Sequence, residues 1–174
     1  MNALDPSIAL SYAGLEAHFD ILDTNRKNCC FTSAGLAIGT GATTAVKIVN
    51  TVTFLNNGVF KSKTTAELAF TATTMDIPAN ATSVQEQVYL MCLDVSGTPT
   101  FTLSGITTGL NSAPLPPRPA GAFTPIGYVR ISVNAGTPGS GTNFVAGTTA
   151  LSDGRMTVAY VNVGYYGARF DVAQ

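Results

Sequence analysis

Asn57-Gly58 stands between two runs of apolar and polar residues, and no other dipeptide constrains the fold of this chain as strongly. A two-residue turn with both residues at positive φ matches the right-handed twist of the strands it joins. Asn-Gly supplies that turn with little strain. Val46, Ile48, Val49, Val52 and Phe54 come before it, and Val59 and Phe60 come after. Comparable runs follow at Ala66 to Thr71, then at Val84 to Val95, closed by Ser96-Gly97. A return strand is expected through Thr98, Thr100, Phe101 and Leu103. Ile126 to Val133 and Met156 to Val163 complete the set, with Tyr165-Tyr166 and Phe170 behind the last. About six to eight short strands with turn residues between them predict an all-β fold, an antiparallel β-sandwich or jelly-roll-like barrel over residues 45–174.

Two interruptions shape that domain. Pro114-Leu115-Pro116-Pro117-Arg118-Pro119 cannot donate to a ladder and is expected to run as a polyproline crossover. Asn134 to Thr142 is rich in Gly, Ser and Thr and predicts a flexible loop.

Residues 1–44 differ in kind, and they are expected to form an N-terminal arm and a linker. Leu4, Ile8, Tyr12, Leu15, Phe19 and Leu22 are spaced 4, 4, 3, 4 and 3, which places them on one helical face. Asp5-Pro6 suits a helix start. Gly14 interrupts the run, however, and Ile8, Leu10 and Tyr12 also alternate as a strand would, so the period leaves both conformations open. These six apolar residues are the candidate partner contacts, because a sandwich beginning at Ala45 has no place for them. Ser33 to Thr44 predicts a Gly/Thr/Ala linker.

Charge narrows the function. Only 11% of the chain is charged and 45% is apolar, against about 25% charged residues in an ordinary soluble domain. A chain so short of charge is expected to cover much of its surface with other protein. Its net charge of −1 and scattered basic residues argue against nucleic acid and anionic lipid as partners. No run is long enough for a membrane helix. The first residues lack the basic and apolar regions of a secretory signal.

Catalytic groups are few. The single histidine, His18, lies in the arm, and no Cys or His pair has metal-ligand spacing, so no metal or cofactor is expected. The closest carboxylate pairs are Asp20/Asp23 and Asp5/Glu16. A glycosidase pair meeting across strands would also want aromatic platforms, whereas Trp is absent and Tyr89, Phe101 and Tyr128 are expected in the core. Gly39-Thr40-Gly41-Ala42-Thr43-Thr44 lacks the third Gly of a dinucleotide loop. Cys29 and Cys30 are adjacent and would bridge each other only with strain, and Cys92 lies in an apolar run; all three are expected as free thiols. The chain is therefore expected not to be an enzyme.

Four segments together resemble small virion structural proteins of tailed bacteriophages, of the capsid-decoration (cement) or head-fibre type. They are Ile48 to Lys63, Gln87 to Asp94 with Ser96-Gly97, Leu115 to Pro119 leading into Pro125 to Ile131, and Asn143 to Ser152. They span most of Ala45 to Tyr165 and do not cover the arm. The resemblance implies a β-sandwich or barrel that binds the outside of a capsid and reinforces it, without catalysis. It implies the major capsid protein and further copies of the chain, as a homotrimer, as partners. It places the protein on the capsid surface of a virion assembled in the host cytoplasm. A tail-associated or fibre protein that contacts a host-surface receptor is the alternative.

Overall fold

In a computed structural model of the chain, the structure describes Asp23 and residues 26–41, 43–69, 77, 82–134, 144–145 and 147–163. The expected loop between Asn134 and Thr142 and the aromatic residues after Val163 lie outside the described residues, apart from Asn134 itself.

The fold is all-β, with every paired strand antiparallel. The strands in chain order are β1 (Ala37–Ile38), β2 (Ala45–Ile48), β3 (Val52–Asn56), β4 (Val59–Lys63) and β5 (Ala66–Ala69). They continue as β6 (Gln85–Leu93), β7 (Pro99–Leu103), β8 (Thr107–Thr108), β9 (Thr124–Val133) and β10 (Met156–Asn162). They form a sheet β1-β2-β5, a hairpin β3-β4, and a larger sheet β10-β9-β6-β7 in which β8 also pairs with β6.

The Asn-Gly signal gives the turn it predicts. Asn57 and Gly58 have φ of 51° and 76°, and β3 and β4 pair from Asn56↔Val59 to Val52↔Lys63. The apolar run before the turn is not one strand. It breaks at Val49 to Thr51, so β2 and β3 enter different sheets.

One core joins the three sheets. β2 gives Val46 and Ile48, β3 gives Val52 and Phe54, β6 gives Tyr89, Met91 and Leu93, and β9 gives Ile126, Val129, Ile131 and Val133. The Tyr89 ring meets Phe101 and Phe144 edge-on, each with centroids 6.3 Å apart. β10 alternates as a half-buried strand should, with Met156, Val158 and Tyr160 against the core and Thr157, Ala159 and Val161 exposed.

β6 is buried along its whole length, which explains its unbroken apolar run. Its odd-numbered residues face the core, while Val88, Leu90 and Cys92 point to the opposite face. The proline-rich crossover covers that face. The Thr102 hydroxyl donates to the Pro117 carbonyl at 2.9 Å, and Pro116 is buried. β9 accommodates Pro125 beside a bulge, where the register with β6 shifts between Met91 and Cys92.

The expected linker at Ser33 to Thr44 is instead part of the body. It contains β1, it buries Ala34 and Leu36, and the Leu36 N–H donates to Asn162 Oδ1 at 2.7 Å. Gly35, at φ +61°, makes the turn that delivers Leu36 to the core. Glycine there serves a bend in a packed segment rather than a flexible tether. Cys30 is likewise a core residue, bridged to Phe54 on β3.

Candidate interaction surface

The partner contacts expected from the sequence, Leu4, Ile8, Tyr12, Leu15, Phe19 and Leu22, lie outside the described residues, as does His18. The structure does show where the arm joins the body. Asp23, Arg26 and Lys27 are helical, and Lys27 pairs with Asp23 one turn earlier. The chain then runs beside β3, with an isolated antiparallel bridge between Cys30 and Phe54. Gly58 N–H donates to the Lys27 carbonyl at 2.9 Å, Asn57 N–H to Asn28 Oδ1 at 2.8 Å, Leu55 N–H to the Cys29 carbonyl at 2.8 Å, and Phe31 N–H to the Thr53 carbonyl at 2.8 Å. The arm therefore leaves the body at the tip of the hairpin.

The two faces of that hairpin differ. Phe54 and Asn56 face inward and are buried. Asn56 Nδ2 donates to the Ala122 carbonyl at 2.8 Å, and the Thr124 hydroxyl donates to the Leu55 carbonyl at 2.6 Å, so the hairpin is fastened to the start of β9. By strand alternation the other face carries Thr53, Leu55, Phe60 and Ser62. Phe31 reaches over β3 to stack on Phe60, with ring centroids 5.4 Å apart and planes inclined by 28°. Leu55 and Phe31 are half-buried, and Phe60 is 66% exposed.

Two more apolar side chains stand at the same end of the molecule. Val59 is 57% exposed, and Val95, in the turn between β6 and β7, is 53% exposed. Lys61 Nζ donates to the Val95 carbonyl at 2.5 Å, which holds that turn against β4. Val59 and Lys61 share a strand face, so Val59 and Val95 stand on one side of the hairpin tip and Phe60 on the other. The sequence did carry a signal for this. Two successive apolar residues directly after a two-residue turn must point to opposite faces, so one of them faces away from the core.

Every described carboxylate is engaged in holding the fold. Glu86 is fully buried on the crossover side of β6. Its Oε1 accepts from Ala113 N–H at 2.9 Å and Arg130 Nη1 at 2.6 Å, and its Oε2 accepts from Asn111 N–H and the Ser132 hydroxyl, both at 2.9 Å. Burial pushes its carboxyl up, but these donors together outweigh burial and hold it below the ordinary glutamate range. Glu67 closes the β1–β2 connection by accepting from the N–H groups of Gly41 and Thr40, and these bonds lower its pKa. Asp94 Oδ1 accepts from Ser96 and Thr98 N–H in the β6–β7 turn. Asp153 pairs with Arg155, whose hydrogen bonds bring it down to about 2. Asp23 has Lys27.

The described residues contain no group of three or more His, Cys, Asp or Glu side chains able to hold a metal ion, and no helix long and apolar enough to cross a membrane. Comparison of the chain with family models, with curated proteins and with solved structures finds no match. What the surface offers chemically is a set of exposed apolar side chains on both sides of the hairpin tip, beside the root of the arm.

Proposed function

We propose that this chain is a non-catalytic structural protein of a bacteriophage virion, a two-layer β-sandwich that binds the outside of the capsid and reinforces it. The observation that carries this reading is the placing of Val59 and Val95 on one side of the hairpin tip and Phe60 on the other, each more than half exposed. A Val or Phe side chain contributes roughly 1.5–3 kcal/mol when it passes from water to a fully buried site. A clamp of this kind grips by apolar area and shape, which suits a shell built of repeated subunits. The employment of Glu67, Glu86, Asp94 and Asp153 in turns and ion pairs supports a structural rather than a catalytic role. Closed symmetry lets copies of one chain cover such a surface without forming a fibre, and the resemblance to decoration proteins favours a trimer.

Co-sedimentation with capsid shells tests the proposal. The wild-type chain is expected to pellet with the shells, and Val59→Asp with Val95→Asp is expected to lower that affinity by tenfold or more, about 1.4 kcal/mol. Equal binding of wild type and variant would remove the hairpin tip from the contact. Failure of the wild type to bind shells, with density at the tail in images of the virion, would overturn the capsid reading.

A further inference from the structure

β10 is an edge strand of the large sheet and pairs on one side only, with β9. The bonds at its two ends fix which main-chain groups that pairing uses. Asn134 N–H donates to the Arg155 carbonyl at 3.0 Å, and Val163 N–H donates to the Ile126 carbonyl at 3.2 Å. The register between these ends runs without a shift. Hydrogen-bonded pairs alternate along an antiparallel ladder, so Thr157, Ala159 and Val161 bond to β9. The N–H and C=O groups of Val158, Tyr160 and Asn162 therefore point away from it, and among the described residues these main-chain groups have no partner. Sheet edges are usually blunted by Lys, Pro, a bulge or very short length. β10 has seven residues with no charge and no Pro, and it pairs with β9 without a bulge. We propose that this edge joins the same edge of a second copy, antiparallel about a two-fold axis at Ala159, so that the two large sheets continue across the contact. The inference goes beyond attachment to a capsid and holds whatever the protein binds. It is a two-fold contact, distinct from the three-fold one favoured above, and a protomer with both would link trimers to one another.

Three features favour a second copy over a foreign strand. The first is register. An axis at Ala159 sets Val158 against Tyr160 of the second copy and Met156 against Asn162 of the second copy, so outward-pointing residues meet outward-pointing residues. Val158 and Tyr160 of each copy then exchange both of their N–H···O bonds. The second is shape. Ala159 falls opposite itself at a non-hydrogen-bonded position, where Cα atoms approach to about 4.5 Å, and its methyl group suits that approach. On the exposed face, Thr157 meets Val161 of the second copy, and on the core side Val158 meets Tyr160 of the second copy, a pairing of a β-branched with an aromatic side chain. The third is charge. No position of the strand sets like charges against each other, which self-pairing requires. A slip of one residue would bring the exposed face of one strand onto the core side of the other, so the alternation of burial along β10 selects among registers.

Disulfide trapping tests this in the full-length chain carrying Cys29→Ser, since Cys30 and Cys92 are buried. Ala159→Cys under mild oxidation is expected to give a disulfide-linked dimer, because the two Cα atoms stand within bridging distance. Thr157→Cys is the register control. The proposed axis holds it about 14 Å from its counterpart, and it is expected to cross-link at least tenfold more slowly. Adding Thr157→Lys and Val161→Lys to Ala159→Cys sets like charges directly opposite each other across the axis and is expected to slow cross-linking severalfold. Thr157→Lys with Val161→Glu at the same two exposed positions sets opposite charges there and is expected to restore the rate, which separates a lost contact from a lost fold. Equal rates for Ala159→Cys and Thr157→Cys would overturn the proposal, as would equal rates for the two charged variants. No linked dimer from Ala159→Cys would leave the edge to a strand of another protein and would also overturn it.

Discussion

Arg130 on β9 donates to Glu86 on β6 at 2.6 Å, on the face of the large sheet that turns away from the core. Glu86 is fully buried, while the Arg130 side chain keeps 20% of its surface exposed. The carboxylate also binds the backbone N–H groups of Asn111 and Ala113. One acid thus ties two central strands to the segment that leads into the proline-rich cover, and Asn111 is held there at a φ of 58°. The bond network, rather than the ion pair alone, makes this buried charge tolerable.

Glu86→Gln is therefore expected to cost about 3 kcal/mol, because Arg130 loses its counter-charge and the amide group cannot accept from both backbone donors. Urea unfolding checks this. The midpoint should fall while the slope stays constant. An unchanged midpoint would mean that the network contributes nothing.

Acid should loosen the same network. The folded carboxyl of Glu86 lies below its ordinary value, so its contribution is complete above the unfolded carboxyl range of about 4.3 and is lost as pH falls through the folded value. Melting temperature measured from neutral to acid pH should fall below about pH 4, and less steeply in Glu86→Gln. Parallel curves for the two proteins would count against Glu86 as a contributor.

Gly127→Ala should weaken the pairing of β9 with β10. A Cβ at this position would stand 2.5 Å from the Val161 carbonyl oxygen and 2.6 Å from Leu36 Cδ1, and the oxygen belongs to the backbone of the paired strand. A cost of about 1–3 kcal/mol is expected from the forced shift. Gly105→Ala is the control, since nothing lies within 4 Å of its Cβ. Comparing the two melting temperatures tests the claim, and equal values would sink it.

The thiols should react in order of access. Burial raises all three, Cys30 to about 11 and Cys92 to about 12, while Cys29 is only half-buried. In the folded protein a disulfide reagent at mildly alkaline pH is expected to modify Cys29 first. Cys30 and Cys92 should respond only after denaturant is added. Rapid modification of all three without denaturant would show that the buried thiols open to solvent.

By itself the sequence determined the all-β class, because its information was local. Asn57-Gly58 specifies a hairpin turn through φ preference alone, and β-branched runs at period two specify strands without knowledge of their neighbours. The proline-rich segment likewise declared that it could not join a ladder. β8, only two residues long and paired with Gln85-Glu86, left no periodic signal. Only the tertiary structure decided the rest. Leu36 reads as part of a linker and Cys30 as part of the arm until distant strands close over them. Val49 looks like a strand residue until β2 and β3 part into different sheets. Glu86, flanked by Gln85 and Gln87 ahead of an apolar run, acquires its role from Asn111, Ala113, Arg130 and Ser132, all at least 25 residues away. Phe60 is an ordinary strand aromatic in sequence, and it stands exposed because it pairs with Leu55 on the outer face of the hairpin while Phe54, one residue along, turns inward. Periodicity fixes which residues share a face, whereas what lies against that face is a long-range property that packing alone supplies.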